Sequence, residues 1–162
     1  MKSRKSKFGL VILFALFLTS CNVPVDEFVG RYRLVTRKPD RKDLIGTWVI
    51  DQATTEDMRT RGRYDVSRPT RITLHDDDSF EMTDMPDWYQ DVSGKPHGGL
   101  VNLNGKWSLN GDNGFWKVWL ASPTQFVQLY LREPRYASQP RYLFEIILGD
   151  PDSGEGMMFT RK

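Results

Sequence analysis

From residue 44 onward, hydrophobic and polar positions alternate with a period of two, and clusters of Gly, Pro, Asp and Asn interrupt the alternation. Leu44, Gly46, Trp48 and Ile50 share one face of a stretch over 44–51. Ile72 and Leu74 do the same within 70–75, and Phe80 and Met82 within 80–83. The clearest case is Leu100–Leu109, where Val101, Leu103, Gly105, Trp107 and Leu109 alternate with Asn102, Asn104, Lys106 and Ser108. Such a pattern predicts a strand with one buried and one wet face. Four more strands are predicted over 115–121, 126–132, 142–148 and 157–161. The links between strands carry turn chemistry: Asp76-Asp77-Asp78-Ser79, Asn110–Gly114, Ser122-Pro123-Thr124, and the stretches 133–140 and 149–154. The longest link, 84–99, is polar and contains Pro86, Trp88, Tyr89, His97 and three glycines. One segment departs from the period. After residue 51, Thr54 or Thr55 can cap a short helix, with Glu56 and Asp57 in its first turn and Gly62 at its end.

Eight strands with short links and a single helix after the first strand predict an all-β fold, an eight-stranded antiparallel up-and-down barrel. Closure removes the exposed edges that an open sheet would present. A barrel of this size either fills with side chains or holds one small ligand. The barrel domain is expected over 44–162, preceded by a tether or arm over 21–43 with the charged run Arg37–Asp43. Within that arm, Phe28-Val-Gly-Arg-Tyr echoes Leu44-Ile-Gly-Thr-Trp. The segment 28–34 is a first strand, an arm across a barrel end, or a chance echo. In the stretch 115–121, Phe115 and Trp119 share the face opposite Trp116, Val118 and Leu120. A strand apolar on both faces implies that its outside is covered by the arm, the helix or a partner.

Gly46-Thr47-Trp48 on the first strand, up-and-down strands after it, and Phe159-Thr160-Arg161 on the last strand resemble the lipocalin-like (calycin) barrels. The resemblance covers about residues 44–161, and Gly105-Lys106-Trp107 is similar to the later Gly-x-Trp strand of small bacterial members. It implies that Gly46, Trp48, Gly105, Trp107 and Arg161 are structural closing residues. It also implies that Arg161 packs across the indole of Trp48, a cation–π contact.

The start of the chain has a different pattern. Lys2, Arg4, Lys5 and Lys7 precede an unbroken apolar run from Leu10 to Leu18. Charge, then a short apolar segment, then small residues is the order of a secretory leader. The run is too short for a spanning helix, which takes ~20 residues. Leu18-Thr19-Ser20-Cys21 resembles the lipobox of bacterial lipoproteins, with Cys21 the only cysteine in the chain. The resemblance implies cleavage after residue 20, thioether-linked diacylglycerol on Cys21 and acylation, for example with palmitate, of the freed amine. Two or more acyl chains hold a protein on a membrane stably. Asn22 is not the Asp that favours inner-membrane retention, so the resemblance implies the periplasmic face of the outer membrane if the organism has two membranes.

Removing the leader changes the charge. Its four cations taken from 23 basic residues leave 19 against 21 acidic, a net of −2. That balance argues against a nucleic-acid partner. A lone cysteine allows no internal disulfide, so packing alone must hold the remaining 142 of 162 residues.

The candidate chemistry is sparse. His75 beside Asp76, Asp77 and Asp78 could hold a hard cation, but a tight turn presents such carboxylates to water. His97 sits in a Gly/Pro-rich link. Asp150, Asp152 and Glu155 surround glycines and read as a turn. No nucleophile elbow or paired-acid motif is present, so the expectation is a protein that is not an enzyme, with no catalytic residue, metal or cofactor. Met85, Trp88 and Tyr89 are the candidate ligand or partner residues, in a link expected at a barrel mouth. The first expectation is a membrane-anchored module that binds an apolar or amphipathic small molecule. The alternative is an envelope structural or protein-interaction lipoprotein whose barrel is filled by Trp48, Trp107, Trp116, Phe144 and Ile146.

Overall fold

The computed structural model describes residues 31–60, 67–87, 99–136, 142–147 and 156–162. Among the described residues nine strands occur in chain order: β1 Tyr32–Leu34, β2 Gly46–Ile50, β3 Arg71–Leu74, β4 Ser79–Pro86, β5 Leu100–Asp112, β6 Phe115–Ala121, β7 Phe126–Pro134, β8 Leu143–Ile147 and β9 Gly156–Arg161. A helix α1, Gln52–Thr60, follows β2. Each of β2 to β9 pairs antiparallel with its neighbour in sequence, and β2 pairs with β9. The sheet therefore closes into an eight-stranded antiparallel barrel with one extra strand and one short helix.

The extra strand is β1. It pairs with β7 through Tyr32↔Pro134, Arg33↔Glu133 and Leu34↔Arg132. It takes the edge of β7 beyond the point where β6 begins. The Val35 N–H then donates to Leu131 O at 3.0 Å, and Trp116 N–H donates to Val35 O at 2.8 Å. From there residues 36–45 cross one end of the barrel as a strap, with Val35, Pro39 and Leu44 buried. Tyr32–Leu34 is thus a strand, and the chain after it is the arm across a barrel end.

The inward faces follow the sequence alternation. Trp48, Phe80, Phe144 and Phe159 are fully buried, as are Ile72, Leu74, Met82, Met85 and Leu120. Trp107 is 2% exposed and belongs to the same core, while Trp116 packs against it from a half-buried position. Large residues on every barrel strand thus meet at the centre, which is packed as a core is packed.

Several local expectations are corrected. Asp51, not Thr54 or Thr55, caps α1: its carboxylate accepts the Thr54 N–H at 2.7 Å. The helix begins as soon as β2 ends, so Glu56 falls in the second turn, where it pairs with Arg59. Thr54 turns its hydroxyl instead to the Met158 N–H and ties α1 to β9. The strand expected over 100–109 runs to Asp112, because the Asn113-Gly114 pair alone makes the hairpin, at φ of 52° and 84°. Likewise β4 does not stop at 83. A bulge at Asp84, φ 54°, shifts its register and lets pairing resume at Met85↔Val101.

Candidate functional site

The strapped end of the barrel brings together most of the residues that the Gly-x-Trp pattern selects. Trp48 and Trp107 stand on non-adjacent strands, and each indole N–H donates to a backbone carbonyl of this end. Trp48 reaches Leu44 O at 2.9 Å and Trp107 reaches His75 O at 2.8 Å. Burying an indole without such a partner would leave its polar N–H unsatisfied. Trp48 also packs on Phe144, ring centroids 4.0 Å apart.

Both glycines are needed for backbone reasons. Gly46 has a φ of 130°, a conformation that side chains rarely adopt. A Cβ on Gly105 would lie 2.0 Å from Ala121 O, so only glycine lets β5 and β6 approach there.

Arg161 lies opposite Trp48 in the β2–β9 register. Its guanidinium donates to Ile45 O at 2.7 Å and to Asp43 O at 3.3 Å, beside Gly46. It holds strap carbonyls, and the expected cation–π contact with Trp48 is not among those formed by the described residues. The guanidinium on an indole is Arg41, 4.0 Å over Trp107, where it also pairs with Asp78. Sequence reasoning missed Arg41 because the signal is a contact 66 positions apart in the chain, in a run that reads as solvated charge.

Between the start of β8, the end of β9 and the strap lies a notch of about 670 Å³. Tyr32, Pro134 and Tyr142 supply its accessible apolar surface over the buried Trp48 and Leu143, and Asp43, Thr160, Arg161 and Lys162 its polar rim. The Tyr142 hydroxyl is raised from its ordinary pKa of 10.0, chiefly by burial and then by the charges of Asp43 and Glu133. It is therefore a neutral donor throughout the physiological range. The volume lies within the range of small-molecule sites.

The other sequence candidates fall elsewhere. Met85 is not in a loop: it lies in β4, fully buried in the core. Trp88, Tyr89, His97, Gly62, Asp150, Asp152, Glu155 and the leader with Leu18, Thr19, Ser20 and Cys21 lie outside the described residues. At the 76–78 turn the carboxylates are exposed. Asp77 accepts from Ser79 N–H and Oγ, which holds its pKa below the usual value, and Asp78 takes Arg41. Among the described residues no group of three His, Cys, Asp or Glu is gathered as metal ligands, and no helix is long and apolar enough to cross a membrane.

The fold defines a class, the closed eight-stranded antiparallel barrels of up-and-down order, and it is compatible with a lipocalin-like domain. Comparison with known proteins yields no match to a family model, to a curated protein or to a solved structure.

Proposed function

We propose that the protein is a lipid-anchored envelope protein whose lipocalin-like barrel binds an amphipathic small molecule in the notch at the Trp48 end. The notch is the observation that carries the reading: aromatic walls from Tyr32 and Tyr142, over the buried Trp48, beside the cations of Arg161 and Lys162. An apolar body would lie against the rings, and an anionic or polar head would meet the cations. The packed centre of the barrel supports a site at the end rather than along the axis. The anchor rests on the leader and the Leu18–Cys21 pattern, with Cys21 lipidated.

Titration with a fluorescent fatty-acid probe tests the reading. The expected result is saturable binding at one site, lost in Thr160→Trp, which puts bulk into the notch from the outer face of β9. Absence of saturable binding across a panel of amphipathic probes, or binding unchanged in Thr160→Trp, would refute it.

A second reading is favoured by one observation on the outer wall. Trp119 and Phe126 meet edge to face at 5.2 Å, Phe126 is 43% exposed, and the buried Trp119 Nε1 has no acceptor among the described residues. An aromatic pair of that kind suits a contact with an envelope protein. Cross-linking from position 126 in intact cells is expected to trap one defined partner; recovery of monomer alone would remove this reading.

A further inference from the structure

We propose that the strapped end of the barrel, on the side where β1 enters, is a seat for an anionic phospholipid surface. The proposal rests on the lipid-anchor reading above and adds an orientation to it.

Chain geometry puts this end near the membrane. The described chain starts at Arg31, whose carbonyl accepts the Arg135 N–H at the far end of β7. Cys21 is ten residues earlier. Those ten residues can span at most ~35 Å when fully extended. A barrel held on such a leash has its β1 side within reach of the headgroups.

Charge on that side fits the surface. Arg31, Arg33, Arg37, Lys38, Lys42, Arg135, Arg161 and Lys162 are all exposed; the strap and β7 add the carboxylates Asp40, Asp43 and Glu133, and Asp112, on the hairpin next to Trp116 and Lys38, is paired with Lys117. Glu133 is paired with Arg33 and Asp40 with Lys42. Among the described residues, Arg31, Arg37, Lys38, Arg161 and Lys162 have no carboxylate partner. These groups are neighbours in space: Tyr142 feels Arg37, Asp40, Asp43 and Glu133 together, and the notch beside it is lined by Tyr32, Asp43, Arg161 and Lys162. The mature chain is net acidic by sequence, so this cationic excess is local. Basic clusters beside a membrane anchor bind anionic lipid by a field that fades within a Debye length. The acidic turn 76–78 belongs to the same end, on the far side of Arg41. It would be repelled, so the barrel sits tilted with β1 downward, and the notch opens toward the headgroup layer.

Site-specific quenching tests the seat. The processed protein from membranes is reconstituted into vesicles of phosphatidylcholine, alone or with about one-quarter phosphatidylglycerol, each carrying a headgroup-attached quencher. A fluorophore is placed at Thr36→Cys on the strap or at Thr124→Cys in the β6–β7 turn at the opposite end, both exposed. With phosphatidylglycerol present, the label at 36 is expected to be quenched several-fold more than the label at 124. The difference should vanish at about 1 M salt, where the Debye length is ~3 Å, and in the Arg37→Glu/Lys38→Glu variant, whose thermal melt checks that it folds. Equal quenching at both positions, or a difference indifferent to lipid charge and salt, would overturn the proposal. Thiol reactivity of the unsubstituted protein separates the two ideas. A reactive Cys21 would sink the anchor reading, whereas a blocked Cys21 with no charge dependence would sink the seat alone.

Discussion

Arg132 and Glu145 form an ion pair on the face of β7 and β8 turned away from the core, yet both are buried. The Arg132 Nε donates to Glu145 Oε2 at 2.8 Å, and Nη2 lies 2.7 Å from the same oxygen. Arg132 is fully buried and Glu145 is 7% exposed. Leu131 and Phe144, the residues beside them in the chain, point inward to the core. Removing Arg132 takes the paired cation away from a carboxylate that is buried. Arg132→Met is expected to cost about 3–5 kcal/mol. The double change Arg132→Met/Glu145→Leu should restore most of that loss, because it removes both charges of the buried pair. Urea unfolding of both single variants and the double measures the cycle. An Arg132→Met protein as stable as the parent would show that the pair carries no stability.

Gly105 is fixed by the close approach of β6. A Cβ there would lie 2.0 Å from Ala121 O and 2.9 Å from its carbonyl carbon, both backbone atoms that cannot swing aside. Gly105→Ala should therefore separate β5 from β6 and cost about 1–3 kcal/mol as an overpacking change. Thermal unfolding would reveal it, and a neutral substitution would contradict the strand spacing described.

Trp48 joins the strap to the core. Its ring packs on Phe144 and its N–H holds Leu44 O. Trp48→Ala is expected to cost ~3–5 kcal/mol. Trp48→Phe should cost less, since it keeps the ring contact and gives up the hydrogen bond. Equal stability of both variants with the parent would mean that the strapped end adds nothing to the fold.

Tyr142 gives a pH signature. Its folded pKa lies above the 10.0 of the ordinary phenol, with burial the main cause. Above the unfolded pKa the unfolded chain releases this proton while the folded chain retains it, so stability falls as pH rises through that window. The contribution is fully present below pH 10 and is lost upward. Tyr142→Phe should remove that part of the alkaline slope in denaturant titrations between neutral and alkaline pH. An unchanged slope would show that the hydroxyl titrates as it does in water.

Cys21 decides the anchor. Cys21→Ser is expected to leave an uncleaved or mislocalised precursor with no lipid attached. Fractionation of cells that express the variant, with the mass of its N-terminal peptide, checks this. Normal processing and membrane retention would refute the lipobox reading.

The barrel was legible because period-two alternation is a local property. Leu100–Leu109 announces its own faces, and the turn residues between runs announce hairpins. At the Gly-x-Trp residues the structure adds what spacing does not state: Gly46 and Gly105 sit where the backbone leaves little room for a side chain, and the Trp48 and Trp107 N–H groups each donate to a carbonyl. What the sequence hid depends on distant parts of the chain. The helix cap fell to Asp51 because β2 ends against α1 with no linker, which a ranking of Ser and Thr caps cannot foresee. Arg161 faces the strap carbonyls and Arg41 faces Trp107, an exchange of roles set by where the strap crosses. Met85 reads as loop because Pro86 follows it, yet the bulge at Asp84 returns it to the core. The notch was not legible, since it is formed where five separated segments fail to meet.

Native mass spectrometry of the protein, released from the envelope without denaturation, tests the binding claim most directly. The account predicts a mass above that of the lipidated chain, with the excess lost on extraction into organic solvent and absent from Thr160→Trp. A spectrum showing only the covalent mass, from protein that also fails to take up added amphipathic probe, would contradict it.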